Sequence, residues 1–216
     1  ATLVPPQGGA SVVDSLRRNL SAVQAARGLP WVNHPNFAWA LTSGELMELP
    51  DLRLLEIYNG HPSVNNLGGG GSESAEEMWD AVLSSGRRVY GIAVDDAHVF
   101  KRFARELSNP GRGWVVVRAP ELSAAALLRS LAAGDFYAST GVVLSDVRAS
   151  RSEVSIHIAA SRPSYADRVG DASPLRYRTY FVGQKGETLA VSVDNPAVYR
   201  FKGGERYVRA RVVASN

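Results

Sequence analysis

The segment S-A-E-E-M-W-D-A-V-L-S-S-G-R-R-V-Y-G-I-A-V (74–94) joins a helix signal to a strand signal. Ser74 and Glu77 have the spacing of a capping box, which predicts that a helix begins here and ends near the glycine of the segment. The apolar run that follows predicts a strand over 88–94. Another apolar run, R-L-L-E-I-Y at 53–58, predicts a strand before the helix. A strand, a helix and a strand in this order are typical of parallel α/β packing.

The first 141 residues repeat this alternation of helix and strand signals. Apolar residues recur at helical spacing over 13–23, and a serine cap with a terminal glycine bounds a helix over 123–134. A further helix is predicted over 97–106. Additional short apolar runs predict strands at 29–33, 114–118 and 136–139. Residues 1–141 are therefore predicted to form an α/β domain, either a barrel or an open sheet.

After residue 141 the hydrophobic pattern changes to alternation with period two, which is typical of half-buried strands. Four such segments are separated by turns rich in Gly, Asn and Pro, and they cover 154–158, 177–182, 189–193 and 207–213. No segment in this part has helical spacing. Residues 142–216 are therefore predicted to form a small antiparallel β module.

The amino-acid composition excludes several classes of protein. Of the 216 residues, 45% are hydrophobic and 21% are charged, which excludes a fully disordered chain. No apolar run reaches the roughly 18 residues that a membrane span needs. The chain has no cysteine, which excludes disulfides and thiolate metal sites and leaves His, Asp and Glu as metal ligands. The cellular compartment stays open.

The net charge of +3 is unevenly distributed. Residues 1–140 have 12 Lys and Arg against 14 Asp and Glu, whereas residues 141–216 have 12 against 7. The arginines of the basic part, such as Arg209 and Arg211, alternate with apolar residues. This spacing is typical of the solvent face of strands, so no nucleic-acid partner is predicted.

Three of the four histidines follow predicted strands: His34 in W-V-N-H-P, His61 in E-I-Y-N-G-H-P and His98 in D-D-A-H. Parallel strands place ligand-binding loops at one edge of the sheet, so these side chains are candidates for a shared site. Asp96 and His98 could give an oxygen and a nitrogen to a metal ion. The alternative is a helix N-cap by Asp95 or Asp96, with His98 incidental. For His61 alone, packing is the simpler interpretation.

Other candidates lie near the same predicted edge. Glu56 and Asn59 either line a site or form a buried hydrogen-bonded pair that orients a loop. Arg112 in N-P-G-R-G could bind a substrate anion, although a solvated arginine is the simpler interpretation. The motif S-T-G (139–141) ends another strand and could place Ser139 or Thr140 near the site. His157 alternates with apolar residues in the β module and is predicted to be exposed and inert.

Five motifs carry a resemblance to a known family. They are N-H-P (33–35), E-I-Y-N-G-H (56–61), D-D-A-H (95–98), N-P-G-R-G-W (109–114) and G-D-F-Y-A-S-T-G (134–141). In this order they resemble the PHP (polymerase and histidinol phosphatase) superfamily, in particular the branch of carbaryl hydrolases and related metal-dependent phosphoesterases. The likeness covers residues 28–141, and the β module resembles the region that follows the barrel in that branch.

The resemblance implies part of a PHP-type (β/α)7 barrel followed by the small antiparallel β module. It also implies two or three divalent metals (Zn, Mn or Fe) that activate a water to attack a phosphate ester, or in some relatives a carbamate or amide. By this resemblance His34, Asp96 and His98 are metal ligands, and Asp95 orients a ligand or the water. The predicted substrate-binding side chains are Glu56, Asn59, His61, Arg112 and Thr140.

The chain departs from the family pattern in one respect. The H-x-H motif and the ligands that follow it in the N-terminal half of the family's barrel have no counterpart here. We therefore expect a portion of a longer protein, or a barrel completed by another subunit. The first hypothesis is a metal-dependent hydrolase of a small phosphoester or related substrate. The second is a non-catalytic ligand-binding module with a degenerate or incomplete metal site.

Overall fold

The chain forms two compact units, Ala1–Thr140 (unit 1) and Gly141–Asn216 (unit 2). The computed structural model describes residues 3–159 and 175–215 of them. No helix in those two ranges combines the length and the apolar character that a bilayer crossing requires.

Unit 1 contains helices and short strands. They are α1 (Val12–Ala25), α2 (Ser43–Met47), β1 (Leu54–Asn59), α3 (Ala75–Ser84), β2 (Tyr90–Val94), β3 (Trp114–Val117), α4 (Ala124–Ala133) and β4 (Phe136–Ser139). Strands β1 and β2 pair in parallel, and α3 connects them. Strands β3 and β4 form an antiparallel pair that lies beside β2.

The helices of unit 1 begin where their capping residues predict. The Ser74 side chain accepts a hydrogen bond from the Glu77 backbone N–H, and the Glu77 carboxylate accepts one from the Ser74 N–H, which completes a capping box. Ser123 caps α4, and Gly134 ends it in the left-handed conformation with φ +82°. The predicted helices at 13–23, 74–86 and 123–134 are therefore confirmed.

The core of unit 1 lies between α1, α2, α3 and the parallel pair. It consists of buried aliphatic side chains and one methionine, including Val13, Leu20, Leu46, Leu49, Leu52, Leu55, Met78 and Val82. Leu46, Leu49, Leu55 and Val82 are fully buried. This packing fixes β1 and β2, and with them the loops that follow these strands.

The predicted (β/α)7 barrel is wrong. Among the described residues there are four α-helices, and the strand pairs are mostly antiparallel. In unit 1 the register pairs Val117 with Phe136, so β4 begins beside the end of β3 and runs back along it. The Arg118 N–H donates to Asp135 O at 2.8 Å, so the chain after Gly134 starts beside the end of β3, whereas a parallel strand would begin beside Trp114. The overall class is mixed α and β.

Two local predictions in unit 1 are also wrong. The predicted strand at 29–33 is reduced to one parallel bridge between Val32 and Leu55. The predicted helix at 97–106 is an irregular loop, because the Asn109 side chain bonds to Val99 O, Arg102 O and Ala104 N. Such side-chain bonds to the backbone compete with the bonds of a helix.

Unit 2 consists of antiparallel strands in its described part. They are β5 (Leu144–Ala149), β6 (Glu153–Ile158), β7 (Tyr177–Val182), β8 (Thr188–Ser192), β9 (Ala197–Arg200) and β10 (Arg209–Ala214). They form two sheets of three strands, in the orders β5-β6-β9 and β10-β7-β8. Phe181, Tyr199, Ile156, Ile158 and Ala197 form the buried core. The four strands predicted from alternation are observed, and β5 and β9 were not predicted.

Candidate functional site

The polar residues that were predicted to share a site lie at one edge of unit 1. Strands β1 and β2 end at this edge, and β3 begins there because Gly113 N donates to Asp95 Oδ1 at 2.9 Å. Strand β4 ends at the same edge, where Ser139 pairs with Trp114. The exposed Thr140 follows directly. The edge therefore collects side chains from several separate loops.

Glu56 is the buried centre of this edge, with 4% of its surface exposed. Its Oε2 accepts hydrogen bonds from the backbone N–H of His34 at 2.7 Å and from Asn59 Nδ2 at 2.9 Å. Its Oε1 accepts one from Trp31 Nε1 at 3.2 Å. The carboxylate therefore holds the loop that contains Trp31 and His34 against the end of β1.

Asn59 links Glu56 to the next loop. Its Nδ2 also donates to Asp96 Oδ2 at 3.2 Å, and its Oδ1 accepts from the His61 backbone N–H at 2.8 Å. The Asn66 side chain bonds to both the N–H and the C=O of Asn59, each at 2.8 Å. Both the side-chain amide and the backbone of Asn59 are therefore held by hydrogen bonds.

Asp96 and His98 form the most direct pair of potential ligands. Asp96 Oδ1 lies 3.2 Å from His98 Nε2, and the histidine side chain is 66% exposed. Asp96 has φ +48°, a left-handed conformation that costs a non-glycine residue free energy. The N–H of His98 donates to Ser108 O and Ser108 Oγ, so the backbone after Asp96 is also fixed.

His34 is held by its backbone, and its ring contacts Phe37. The two ring centroids are 5.4 Å apart, and Phe37 lies 6.4 Å from His61, which in turn lies 5.6 Å from His98. The three histidines thus follow one another along the edge with Phe37 between the first two. Within residues 3–159 and 175–215, no three His, Asp or Glu side chains are placed to hold one ion.

His61 is committed to its own loop. Its Nδ1 accepts a hydrogen bond from the Ser63 backbone N–H at 3.2 Å. A neutral imidazole that accepts at Nδ1 has its proton on Nε2, and this tautomer leaves no lone pair on Nε2 for a metal. The ring can still contact a substrate from its exposed side.

Asp95 and Arg112 connect the loops that follow β1 and β2 to the turn that precedes β3. Asp95 Oδ1 accepts hydrogen bonds from the N–H groups of Arg112 at 2.6 Å and of Gly113. The Arg112 guanidinium donates to the carbonyls of Gly60, Ala104 and Arg105 at 2.8–3.2 Å. A Cβ on Gly60 would lie 2.7 Å from the Arg112 Cβ, so glycine is required at this approach.

The edge contains more acid than base. Glu56, Asp95 and Asp96 contribute three carboxylates to the edge, whereas the guanidinium of Arg112 donates to carbonyl groups. Such an arrangement favours a bound cation over a bound anion. Sequence reasoning missed Trp31 and Asn66, whose roles depend on tertiary contacts that no local motif indicates.

No protein-family model, curated protein or solved structure matches the chain.

Proposed function

We propose that the chain is a metal-dependent hydrolase of the PHP type, in which a metal-activated water attacks a phosphate ester or a related carbamate or amide. The observation that carries the proposal is the distance of 3.2 Å between Asp96 Oδ1 and His98 Nε2. Two ligands of one ion with bonds of about 2.1 Å have donor atoms about 3 Å apart, so this pair has a suitable spacing.

The donor chemistry supports the same proposal. A carboxylate oxygen and an imidazole nitrogen suit Zn²⁺, Mn²⁺ or Fe²⁺, and the acidic edge favours a cation. His34 is the third candidate ligand, because Glu56 and Asn59 connect its backbone to Asp96. Water, or side chains from outside the described residues, would fill the remaining coordination positions.

A divalent ion at this place supplies Lewis acidity, which makes a water molecule more acidic and offsets charge on a substrate oxygen. The residues of the chain supply positioning. Asn59 holds Asp96 Oδ2 and so leaves Oδ1 facing His98, while Glu56 fixes Asn59. Asp95 keeps the turn that precedes β3 in place through two backbone N–H groups, and it acts as a positioning residue.

The order of the five motifs, from N-H-P to G-D-F-Y-A-S-T-G, supports the PHP superfamily and hence the phosphoester class. A phosphomonoester and a phosphodiester are therefore the first substrates to test. The compounds p-nitrophenyl phosphate and bis-p-nitrophenyl phosphate represent them.

The test combines metal content with turnover. Protein dialysed against Zn²⁺ or Mn²⁺ is analysed by inductively coupled plasma mass spectrometry, and hydrolysis is followed with and without a chelator. We expect about one ion per chain and chelator-sensitive turnover. Both should be lost in Asp96→Ala, which removes a ligand, and retained in the control Asp51→Ala, which removes an exposed carboxylate outside the site.

A second candidate, a non-catalytic ligand-binding module, is favoured by one observation. The described residues offer two adjacent ligands, whereas hydrolytic metal centres commonly have three or more. Retained metal without turnover of either ester would support this module. Absence of bound metal, or turnover that neither the chelator nor Asp96→Ala affects, would contradict the hydrolase.

A further inference from the structure

A depression of about 410 Å³ lies on the solvent-facing side of the β5-β6-β9 sheet in unit 2. Its lining includes Arg148, Glu153, Ser155, His157 and Val198. This volume is within the range of small-molecule sites. The opposite face of the same sheet carries the core of the unit, so the depression is open to solvent while its floor rests on a packed core.

Strand alternation places the polar residues of the depression on one face. Ser155 and His157 are two residues apart on β6, and the register pairs them with Arg148 and Asp146 of β5. The residues between them, such as Ile156, point into the core. The position of each polar side chain is therefore set by the sheet itself.

Ser155 and His157 form a polar pair at the floor. Ser155 is 9% exposed although it lies on the solvent-facing side, and its Oγ is 3.3 Å from His157 Nε2. When the histidine proton is on Nε2, the ring donates to Ser155 Oγ, and the hydroxyl hydrogen of Ser155 is available to an acceptor in the depression.

Arg148 places a guanidinium in the lining of the depression. Its Nε donates to Asp146 Oδ2 at 2.7 Å, which orients the guanidinium and leaves the terminal nitrogens without a partner in this ion pair. The two ion pairs, Arg148–Asp146 and Arg200–Glu153, therefore balance in charge, with the Arg200 Nε 3.4 Å from the Glu153 carboxylate. The preference for an anion comes from unit 2 as a whole, which has 12 Lys and Arg against 7 Asp and Glu.

We propose that this depression binds a small phosphate monoester. The guanidinium of Arg148 and the hydroxyl of Ser155 bind the phosphate oxygens, and the side chain of Val198 contacts the apolar part of the ester. Arginine suits phosphate because its planar donors match two oxygens at once. The site lies wholly in unit 2 and does not depend on the metal site proposed for unit 1.

The probe is phenylphosphonate, which has the charge of a phosphate monoester but no ester bond that a hydrolase could cleave. It is titrated at constant ionic strength while the His157 imidazole resonances are followed by NMR, with His157→Gln used to assign them. We expect a saturable shift of these resonances. Inorganic phosphate should bind more weakly because it lacks the apolar group, and acetate should bind most weakly.

Three variants test the role of each side chain. Arg148→Met should weaken binding about tenfold or more, and Ser155→Ala about fivefold, as expected for loss of one charge-assisted and one neutral hydrogen bond. Arg178→Met removes the same charge from an exposed position on β7, outside the depression, and should leave affinity within about twofold. All variants are checked for unchanged folding by circular dichroism.

Several results would overturn the proposal. One is the absence of a saturable His157 shift with phenylphosphonate. Another is equal weakening by Arg148→Met and Arg178→Met, which would indicate general attraction to a basic surface. Binding of acetate as tight as that of phenylphosphonate would contradict the phosphate class.

Discussion

The two units hold their polar side chains in different ways. In unit 2, Ser155 and His157 are neighbours on one face of β6, and strand alternation alone brings them together. In unit 1, His34, Asp96 and His98 belong to two loops that have no regular structure. Their arrangement depends on hydrogen bonds of buried side chains, of which Glu56 and Asn59 each make three. A site on loops needs an organising residue that a site on a sheet does not need.

The backbone shows the same contrast. His34 and Asp96, two of the three predicted metal ligands, have positive φ angles of +22° and +48°. No residue that lines the depression in unit 2 has a positive φ among the described residues. Unfavourable backbone conformations persist where surrounding bonds impose them, and they concentrate at functional sites. Of the two proposed sites, the one in unit 1 therefore includes residues with positive φ and the one in unit 2 does not.

The largest expected effect comes from removing the organising carboxylate. Glu56→Ala removes the acceptor of the Trp31 indole N–H and of the His34 N–H and one of the two acceptors of the Asn59 amide, so we expect a loss of about 3 kcal/mol in the free energy of unfolding. Glu56→Gln keeps one acceptor and should lose less. Urea unfolding followed by tryptophan fluorescence measures this loss in unit 1, because all four tryptophans lie in residues 1–140.

The matched control for that prediction is Glu153→Ala in unit 2. Glu153 is also a glutamate, but its side chain is 40% exposed and its ion pair with Arg200 is on the surface. We expect a change within about 0.5 kcal/mol, measured by far-UV circular dichroism in urea. Equal losses for the two glutamates would contradict the special role of Glu56.

The sequence predicts those elements whose signals are local. The capping pair Ser74 and Glu77 and the terminal Gly134 identify α3 and α4, because each acts within one or two turns of its own helix. The alternation over 177–182 identifies β7 for the same reason. Strand β9 is not predicted, because its four residues are too few to show a distinct alternation.

The sequence fails where distant residues decide the structure. The loop at 97–106 has helical spacing, but Asn109 captures its backbone groups. The direction of β4 depends on the turn at Gly134 and on pairing with β3. Within the site, the motif D-D-A-H predicts that Asp96 and His98 are neighbours, whereas the connection through Asn59 to Glu56 joins separate strands and loops. His157, predicted to be exposed, is half-buried, because alternation gives the face of a strand but not the depth at which that face lies.

The backbone strain at Asp96 can be tested by comparing glycine with alanine at this position. Asp96→Gly should be about 1 kcal/mol more stable than Asp96→Ala, because glycine adopts φ +48° without strain. In unit 2, Lys185 has φ +56°. The free energy of unfolding of Lys185→Gly should therefore be higher than that of Lys185→Ala by a similar amount. Urea unfolding measures both differences.

Metal content separates the two positions. Both Asp96 variants should lose bound metal, whereas both Lys185 variants should retain it, because Lys185 lies in a turn of unit 2 with no proposed ligand. Equal stability of Asp96→Gly and Asp96→Ala would mean that the backbone at Asp96 is not strained. There would then be no evidence that the site is maintained at a cost in stability.

The smallest expected effect is a pH dependence that belongs to unit 2. The backbone N–H of Lys202, the N–H of Glu205 itself and the Tyr199 hydroxyl lower the pKa of Glu205 from 4.5 to about 2. A carboxyl whose pKa is lower in the folded state stabilises the fold above its unfolded pKa, and this contribution is lost as the pH falls through the folded pKa. The contribution of Glu205 should therefore be constant above about pH 5 and should disappear between pH 4.5 and about 2.

Glu205→Gln tests this expectation, because it removes the titrating group but keeps an acceptor for Lys202 and Tyr199. The urea midpoint is measured from pH 7 to pH 2 for both proteins, and the difference between them should shrink across that acidic window. A difference that stays constant down to pH 2 would show that the carboxylate charge contributes nothing and that the turn is held by neutral hydrogen bonds. Glu205 lies in the turn between β9 and β10, whereas all four tryptophans lie in unit 1. Glu205→Gln should therefore leave the tryptophan fluorescence unchanged at neutral pH.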